Sequence, residues 1–135
     1  DLGLAREQSK DNPLYYIQYA HARICSVFNK AGYDLEEGHK KINFSLLNAE
    51  KEIEIQKQLA AFPALIEKAA KSNDPHLVCY YLKDLASLFH SYYNSEKFII
   101  EDSSLMGSRL FLLKGVKQVI FNGLEILGVS SPESM

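Results

Sequence analysis

The chain has 135 residues, 47% of them hydrophobic, and a formal net charge of −2 at pH 7. This length suits one domain with an ordinary buried core, and the charge argues against a protein that coats nucleic acid such as DNA through bulk positive charge. No apolar run reaches the roughly 18 residues of a membrane span and no signal peptide opens the sequence, so we expect a soluble, cytoplasmic protein without a membrane partner.

The two cysteines, Cys25 and Cys79, lie in apolar runs and lack the close spacing of a zinc site. They are typical of buried free thiols in a reducing compartment. The sequence starts in mid-pattern without a methionine, so we expect a piece of a longer polypeptide. Residues 1–11 would lead in from a preceding domain, and residues 12–135 would form the domain itself.

Hydrophobic periodicity predicts helices throughout the chain, and proline and glycine mark where they begin and end. Asn12 and Pro13 open the first helix and Gly32 ends it, while Asp74 caps the fourth. A connection is predicted at "GYDLEEGHKKINF", with a short helical turn as an alternative within it, and a loop at "EKFIIEDSSLMG", with "KFII" as a candidate extended stretch. With no alternating strand pattern, the fold is predicted to be an all-α bundle of about four to six helices. The predicted helices cover residues 13–31, 46–61, 63–71, 75–94 and 104–127.

Helical spacing divides the first helix into two sides. The predicted core side holds Ile17, Ala20, Ile24, Val27, Phe28 and Ala31, and the opposite side holds Tyr15, Tyr19, Arg23, Ser26 and Lys30. Flat aromatic rings followed by cations suit unstacked bases and the phosphates between them. The alternative is that these tyrosines pack on a neighbouring helix or on another domain.

The last helix repeats this pattern. Its predicted core side holds Leu112, Leu113, Val116, Val119, Ile120, Leu124 and Leu127, and across from it lie Phe111, Lys114, Gln118 and Asn122. These four residues form a second candidate surface for stacking bases. The alternative for Phe111 is that it covers another helix or the preceding loop. Arg109 falls on the apolar side, where we expect it to pair with an acid or with loop carbonyls.

No pattern in the sequence supports catalysis. A Gly-rich phosphate loop, a helical metal-binding histidine pair and a nucleophile with a nearby base are all missing from it. His21 is predicted to be a satisfied histidine at the edge of the core, and His90 to be a structural side chain bonded to Tyr93 or to a neighbouring helix. We therefore expect no catalytic residue, metal or cofactor in this chain.

Three segments resemble a known family in the order in which they occur. "DNPLYYIQYAHARICSVFNKAG", "LASLFHSYYN" and "SRLFLLKGVKQVIFNGLEILGVSSPESM" are similar to the C-terminal region of arginyl-tRNA synthetases. That region is an all-helical anticodon-binding domain of the DALR type, and the resemblance covers essentially the whole chain. The tetrapeptide that names the superfamily does not occur, and Gly115 stands where alanine is usual.

The resemblance implies a function. Such domains bind the anticodon loop of arginine tRNA and test its middle cytosine and the neighbouring base, for arginine attachment by a separate catalytic domain that uses ATP and Mg²⁺. It places Tyr19, Arg23 and Met135 at the anticodon. This chain alone would bind no cofactor and would be inactive as a ligase, and its partners would be arginine tRNA through the anticodon stem-loop and the enzyme's own catalytic domain.

An alternative interpretation is a helical protein–protein docking module whose aromatic faces bind a protein. Salt distinguishes the two, because RNA affinity falls steeply as counterions compete, whereas an apolar interface changes little. A small cytosolic enzyme is a poorer third reading, since the sequence offers neither a nucleophile with its base nor a metal cluster.

Overall fold

The computed structural model describes residues 12–32 and 42–135, and this part of the chain is helical without any strand. The predicted all-α bundle is confirmed. The lead-in 1–11 and most of the predicted connection at 32–44 lie outside the described residues. The elements are α1 (Pro13–Ala31), a short 3-10 helix (Phe44–Leu46), α2 (Glu50–Ala60), α3 (Phe62–Ser72), α4 (His76–Ser95) and α5 (Ser103–Ile126).

The first helix begins and ends where its capping residues predict. The Asn12 side chain accepts a hydrogen bond from the Leu14 N–H at 3.0 Å, and Pro13 occupies the first turn, where its missing N–H costs nothing. Gly32 adopts the left-handed conformation at φ 55° and donates its N–H to the Phe28 carbonyl at 3.1 Å. This cap satisfies a carbonyl that the helix end would otherwise leave unpaired.

The second helix starts later than the sequence predicted. It was expected from Leu46, but the Asn43 side chain accepts from the backbone two residues on and holds a 3-10 turn there. The α-helix begins only at Glu50. Its start is fixed by the Ala49 N–H, which donates to the Glu52 carboxylate at 3.0 Å and so forms half of a capping box.

The remaining boundaries follow the prediction within one or two residues. Pro63 lies in the first turn of α3, and the Asp74 side chain accepts from the His76 N–H at 3.1 Å, so α4 is assigned from His76. The segment "KFII" is not extended strand, because Phe98 turns into the core and is only 5% exposed. Gly128, at φ 73°, follows the end of α5 as predicted.

Helix α4 is the centre of the bundle and packs against each of the other four helices. Its apolar side is fully buried at Leu82, Leu85, Phe89 and Tyr92. Burying each such side chain contributes roughly 1.5 to 3 kcal/mol. The predicted core sides are confirmed for α1 and α5, whose buried members are Ile17, Ala20, Ile24, Val27, Leu112, Leu113, Val116, Ile120 and Leu124.

A buried ionic cluster joins α2, α4 and α5. Arg109 donates from Nε to the Glu52 carboxylate at 2.8 Å, from Nη2 to Glu96 at 3.1 Å and from Nη1 to the Lys97 carbonyl at 3.0 Å. The Tyr92 hydroxyl donates to the same Glu52 oxygen at 2.6 Å, and burial followed by this hydrogen bond raises the pKa of the phenol. The prediction that Arg109 pairs with an acid and loop carbonyls is confirmed.

Two glycines of α5 give a matched test of its packing. A Cβ at Gly115 would lie 3.4 Å from Leu59, whereas one at Gly123 would lie 2.6 Å from the fully buried Leu82. We expect Gly115→Ala to raise the free energy of unfolding by about 0.5 to 1 kcal/mol through helix propensity. Gly123→Ala should lower the free energy of unfolding by about 1 kcal/mol. Overpacking against Leu82 costs about 1 to 3 kcal/mol, which outweighs the gain in helix propensity.

Urea unfolding of the two variants measures this difference. If both alanines stabilised the protein equally, close packing of α5 on α4 at Gly123 would be ruled out.

Candidate nucleic-acid interface

Helices α1 and α4 and the end of the chain enclose an open cleft of about 370 Å³, which we call the tyrosine cleft. Four residues predicted from sequence as RNA-binding meet there: Tyr19, Arg23, Lys30 and Met135. Three separate parts of the sequence therefore contribute to one surface. The full lining is Tyr19, Ala22, Arg23, Ser26, Asn29, Lys30, Tyr93, Glu133, Ser134 and Met135.

Arg23 is held between aromatic rings. Its guanidinium carbon lies 3.8 Å from the centroid of the Tyr93 ring and 5.5 Å from that of Tyr19. Both distances are within the range of cation–π attraction. One N–H contacts His90 Nδ1 at 3.2 Å, and a guanidinium has five such donors. The cation is thus fixed in position at the cleft with donors left for a ligand.

His90 contacts both Arg23 and Tyr19 and helps to hold them in place. Burial, and then the nearby charge of Arg23, lower the pKa of His90 to about 4, so the ring is neutral at pH 7 and its Nδ1 accepts from Arg23. The ring stacks on Tyr19 with centroids 5.5 Å apart and lies 4.9 Å from the ring of Tyr16. The structural role predicted for His90 is confirmed, with α1 as the neighbouring helix.

Tyr19 packs on a neighbouring helix, which is one of the two alternatives left by the sequence, and it also stays partly exposed. One face of its ring packs on His90 of a neighbouring helix, yet the residue remains 39% exposed. A partly exposed ring that is already held by packing can contact a ligand without first being ordered, which lowers the entropic cost of binding. Tyr15, predicted on the same side of α1, is half-buried and does not line the cleft.

The segment after α5 closes one side of the cleft. Gln18 donates to the Ser130 carbonyl at 2.9 Å, and His21 Nδ1 lies 3.0 Å from the Pro132 carbonyl. His21 is only 3% exposed, so the prediction of a satisfied histidine at the edge of the core is confirmed. These contacts bring Met135, which is 50% exposed, to the cleft.

The four residues predicted on α5 do not line the tyrosine cleft. The sequence predicts a face made by α1 and α5, whereas the second wall of the tyrosine cleft is α4, which packs against α1. Phe111 packs edge-on against Phe44 of the short 3-10 helix, with ring centroids 5.6 Å apart. This agrees with the alternative that Phe111 covers another part of the fold. Gln118 donates to Asn122 at 2.9 Å, and Lys114 is exposed.

A second, smaller groove of about 230 Å³ lies between α1, α5 and the chain end. Gln118 lines it, and Glu133 lines both this groove and the tyrosine cleft. The chain end therefore runs between two concave surfaces rather than over one. The lining of the groove is His21, Lys117, Gln118, Phe121, Ser131 and Glu133.

Sequence reasoning missed several lining residues of the tyrosine cleft, among them Tyr93 and Glu133. The motif "HSYYN" carried a usable signal, because helical spacing puts Tyr93 beside His90 on the edge of α4 while Tyr92 faces the core. Glu133 had no comparable signal, since it lies beyond the last helix, where periodicity says nothing.

Other kinds of site find no support in the part of the chain that the structure describes. Within residues 12–32 and 42–135, no three His, Cys, Asp or Glu side chains are grouped so as to hold a metal ion, and no helix is long and apolar enough to cross a membrane. Cys25 and Cys79 are free thiols, and burial raises the pKa of both.

Comparisons with known proteins point to one family. The family model described as the DALR anticodon binding domain matches residues 17–135. The chain is 49% identical to an arginine–tRNA ligase from Coxiella burnetii and 48% identical to one from Dechloromonas aromatica, in both cases over 100% of the chain. It spans only 23% of the length of each of these relatives.

Solved structures agree with the sequence matches. A protein from Campylobacter jejuni, described as an arginyl-tRNA synthetase, superposes with a TM-score of 0.85 at 27% identity, covering 100% of this chain and 29% of that one. The Thermus thermophilus arginyl-tRNA synthetase gives 0.77 at 29% identity, covering 94% and 22%. The family resemblance carried by the three sequence segments is confirmed: this chain belongs to the DALR anticodon-binding domain family.

Proposed function

We propose that this chain is the anticodon-binding domain of an arginyl-tRNA synthetase and that it binds the anticodon loop of arginine tRNA in the tyrosine cleft. The observation that carries the proposal is the guanidinium of Arg23, held over Tyr93 and beside the exposed ring of Tyr19. A single-stranded loop offers unstacked bases and phosphates, and stacking on aromatic rings beside cations is the usual way in which proteins bind it.

The cleft also offers the polar groups that a cytosine needs. Arg23 can donate to the acceptors on the pairing edge of cytosine, and the carboxylate of Glu133 can accept from its amino group. A uracil in the same position would turn a carbonyl oxygen toward that carboxylate and would lose the hydrogen bond. The proposed specificity for the middle cytosine follows from this pairing of donors and acceptors.

The remaining predicted residues would serve the rest of the loop. We place Lys30, at the rim of the cleft, and Lys114 against phosphates, where they would affect all sequences alike. Tyr15 on α1 and the α5 residues Phe111, Gln118 and Asn122 would meet neighbouring nucleotides. Arginine activation, with its ATP and Mg²⁺, belongs in this proposal to the separate catalytic domain, so this chain alone should not aminoacylate.

The direct test is a titration of the chain with an arginine-tRNA anticodon stem-loop and with the same stem-loop carrying uracil in place of the middle cytosine. At near-physiological salt we expect tighter binding of the cytosine form, by about five- to 150-fold, which corresponds to about 1 to 3 kcal/mol for one mismatched base. Fluorescence anisotropy of a labelled stem-loop gives both affinities.

The salt dependence of the same titration separates the alternatives. A steep loss of affinity with salt is expected for RNA. Equal affinity for both stem-loops would contradict base recognition in the tyrosine cleft and leave only contacts with the backbone. Absence of binding to either would favour the docking-module reading.

A further inference from the structure

The chain end follows a path that several contacts determine. After α5, Gly128 adopts φ 73° and the Val129 N–H donates back to the Leu124 carbonyl at 2.9 Å. This is the reverse turn with which many helices end, and it directs the following residues back along the bundle. The direction of residues 130–135 is therefore set at the end of α5.

Two buried side chains of α1 then hold this segment. Gln18 is 9% exposed and His21 is 3% exposed, and they bond the carbonyls of Ser130 and Pro132 at 2.9 and 3.0 Å. Residues three apart on a helix share a face, and the two carbonyls that they bond are two residues apart in the chain end. The spacing of the two donors on α1 thus fits the spacing of the two acceptors.

The hydrogen bond fixes the proton of the histidine ring. A carbonyl oxygen only accepts, so Nδ1 of His21 carries the proton and donates to Pro132. Cys25 Sγ lies 3.9 Å from the same nitrogen and packs against the ring. Nε2 of Gln18 and Nδ1 of His21 are bonded to the chain end, so these two atoms are not available to a ligand in the cleft.

We infer that Gln18 and His21 are positioning residues, a polar latch that holds residues 130–135 on α1 so that Glu133 and Met135 form a wall of the tyrosine cleft. Only the effect on RNA rests on the proposed function; docking of the chain end does not. The latch acts through the backbone of the segment, so it keeps the wall in place whichever base the cleft receives.

Methionine methyl NMR tests the docking without any RNA. The chain has two methionines, Met135 in the latched segment and Met106 in α5, which serves as an internal reference. In the double variant Gln18→Leu/His21→Leu, which adds no methionine, we expect the Met135 methyl signal to sharpen and move to its position in an unstructured peptide. The Met106 signal should stay unchanged.

Rescue separates the hydrogen bond from the shape of the ring. His21→Asn keeps an N–H donor near the position of Nδ1, so it should retain the docked Met135 signal, whereas His21→Leu should not. His76→Leu is the control, because this exposed histidine at the start of α4 lines neither concave surface. Circular dichroism confirms in each case that the helices persist.

Titration with the cytosine stem-loop then tests the consequence. His21→Leu should weaken binding by about two- to tenfold, as expected for one hydrogen bond. In a chain ending after Val129 the same substitution should change nothing, because the segment on which it acts is gone. An equal loss in both backgrounds would show that His21 acts through the core and would overturn the latch.

The two proposals fail in different ways. An unchanged Met135 signal in the double variant overturns the latch whatever the RNA does. A released Met135 signal with unaltered affinity, in a protein that still prefers the cytosine stem-loop, overturns its positioning role. Failure of the unmodified chain to prefer cytosine contradicts the proposed function alone, and the NMR result still decides whether the latch exists.

Discussion

Replacing Arg109 with methionine is expected to lower the free energy of unfolding by about 3 to 5 kcal/mol. Glu52 is 1% exposed, and Arg109 is the cation that neutralises it at 2.8 Å. Removing only the cation leaves a carboxylate buried without a compensating charge, although Tyr92 still donates to it. This loss reflects the cost of burying an unpaired carboxylate, and it is larger than the net stabilisation that the intact ion pair provides.

Urea unfolding of Arg109→Met and of the unmodified chain at neutral pH measures this loss.

Two further variants test whether the charge is responsible. The double variant Glu52→Gln/Arg109→Met removes both charges and should recover a substantial part of the loss. Lys71→Met breaks the Lys71–Glu67 pair, which also joins a cation to a carboxylate, at 2.9 Å, but lies on the surface. This change should alter stability by less than about 0.5 kcal/mol. A loss that the double variant does not recover would indicate a packing defect instead.

This cluster also shows how far the sequence allows the fold to be predicted. Arg109 lies on the apolar side of its own helix, so local periodicity suffices to predict that it must be paired. Its partners could not be named, because Glu52 is 57 residues away and the pairing depends on how α2 packs against α5. Helix ends, by contrast, were predictable at Asn12 and Gly32, where the capping groups are adjacent in sequence.

The same limit applies to the candidate site. Tyr19 and Arg23 share one helix, and their spacing predicted a surface of rings and cations without any knowledge of tertiary structure. Which helix faces that surface is decided by long-range packing, so α4 and its Tyr93 were missed as the second wall of the tyrosine cleft. The position of Met135 was implied only by family resemblance, because its path depends on turns and side-chain contacts after the last helix.

Replacing Tyr19 with alanine should weaken binding of the cytosine stem-loop by about 1 to 3 kcal/mol, or about five- to 150-fold. The ring rests on His90 and is 39% exposed, so alanine removes a preformed stacking surface. It also removes one of the two rings beside Arg23. Tyr19→Phe retains the ring and should keep most of the affinity, which anisotropy titration of the three proteins measures directly.

Tyr80 supplies the matched control. It is a 62% exposed tyrosine on α4 whose ring stacks on a histidine, His76, much as Tyr19 stacks on His90, but it does not line the tyrosine cleft. Tyr80→Ala should therefore bind the stem-loop as tightly as the unmodified chain. If both alanine variants lost the same affinity, exposed aromatic surface in general would matter and the cleft would not be a specific site. If neither lost any, the base would have to stack elsewhere, and the placement of the anticodon between α1 and α4 would be wrong.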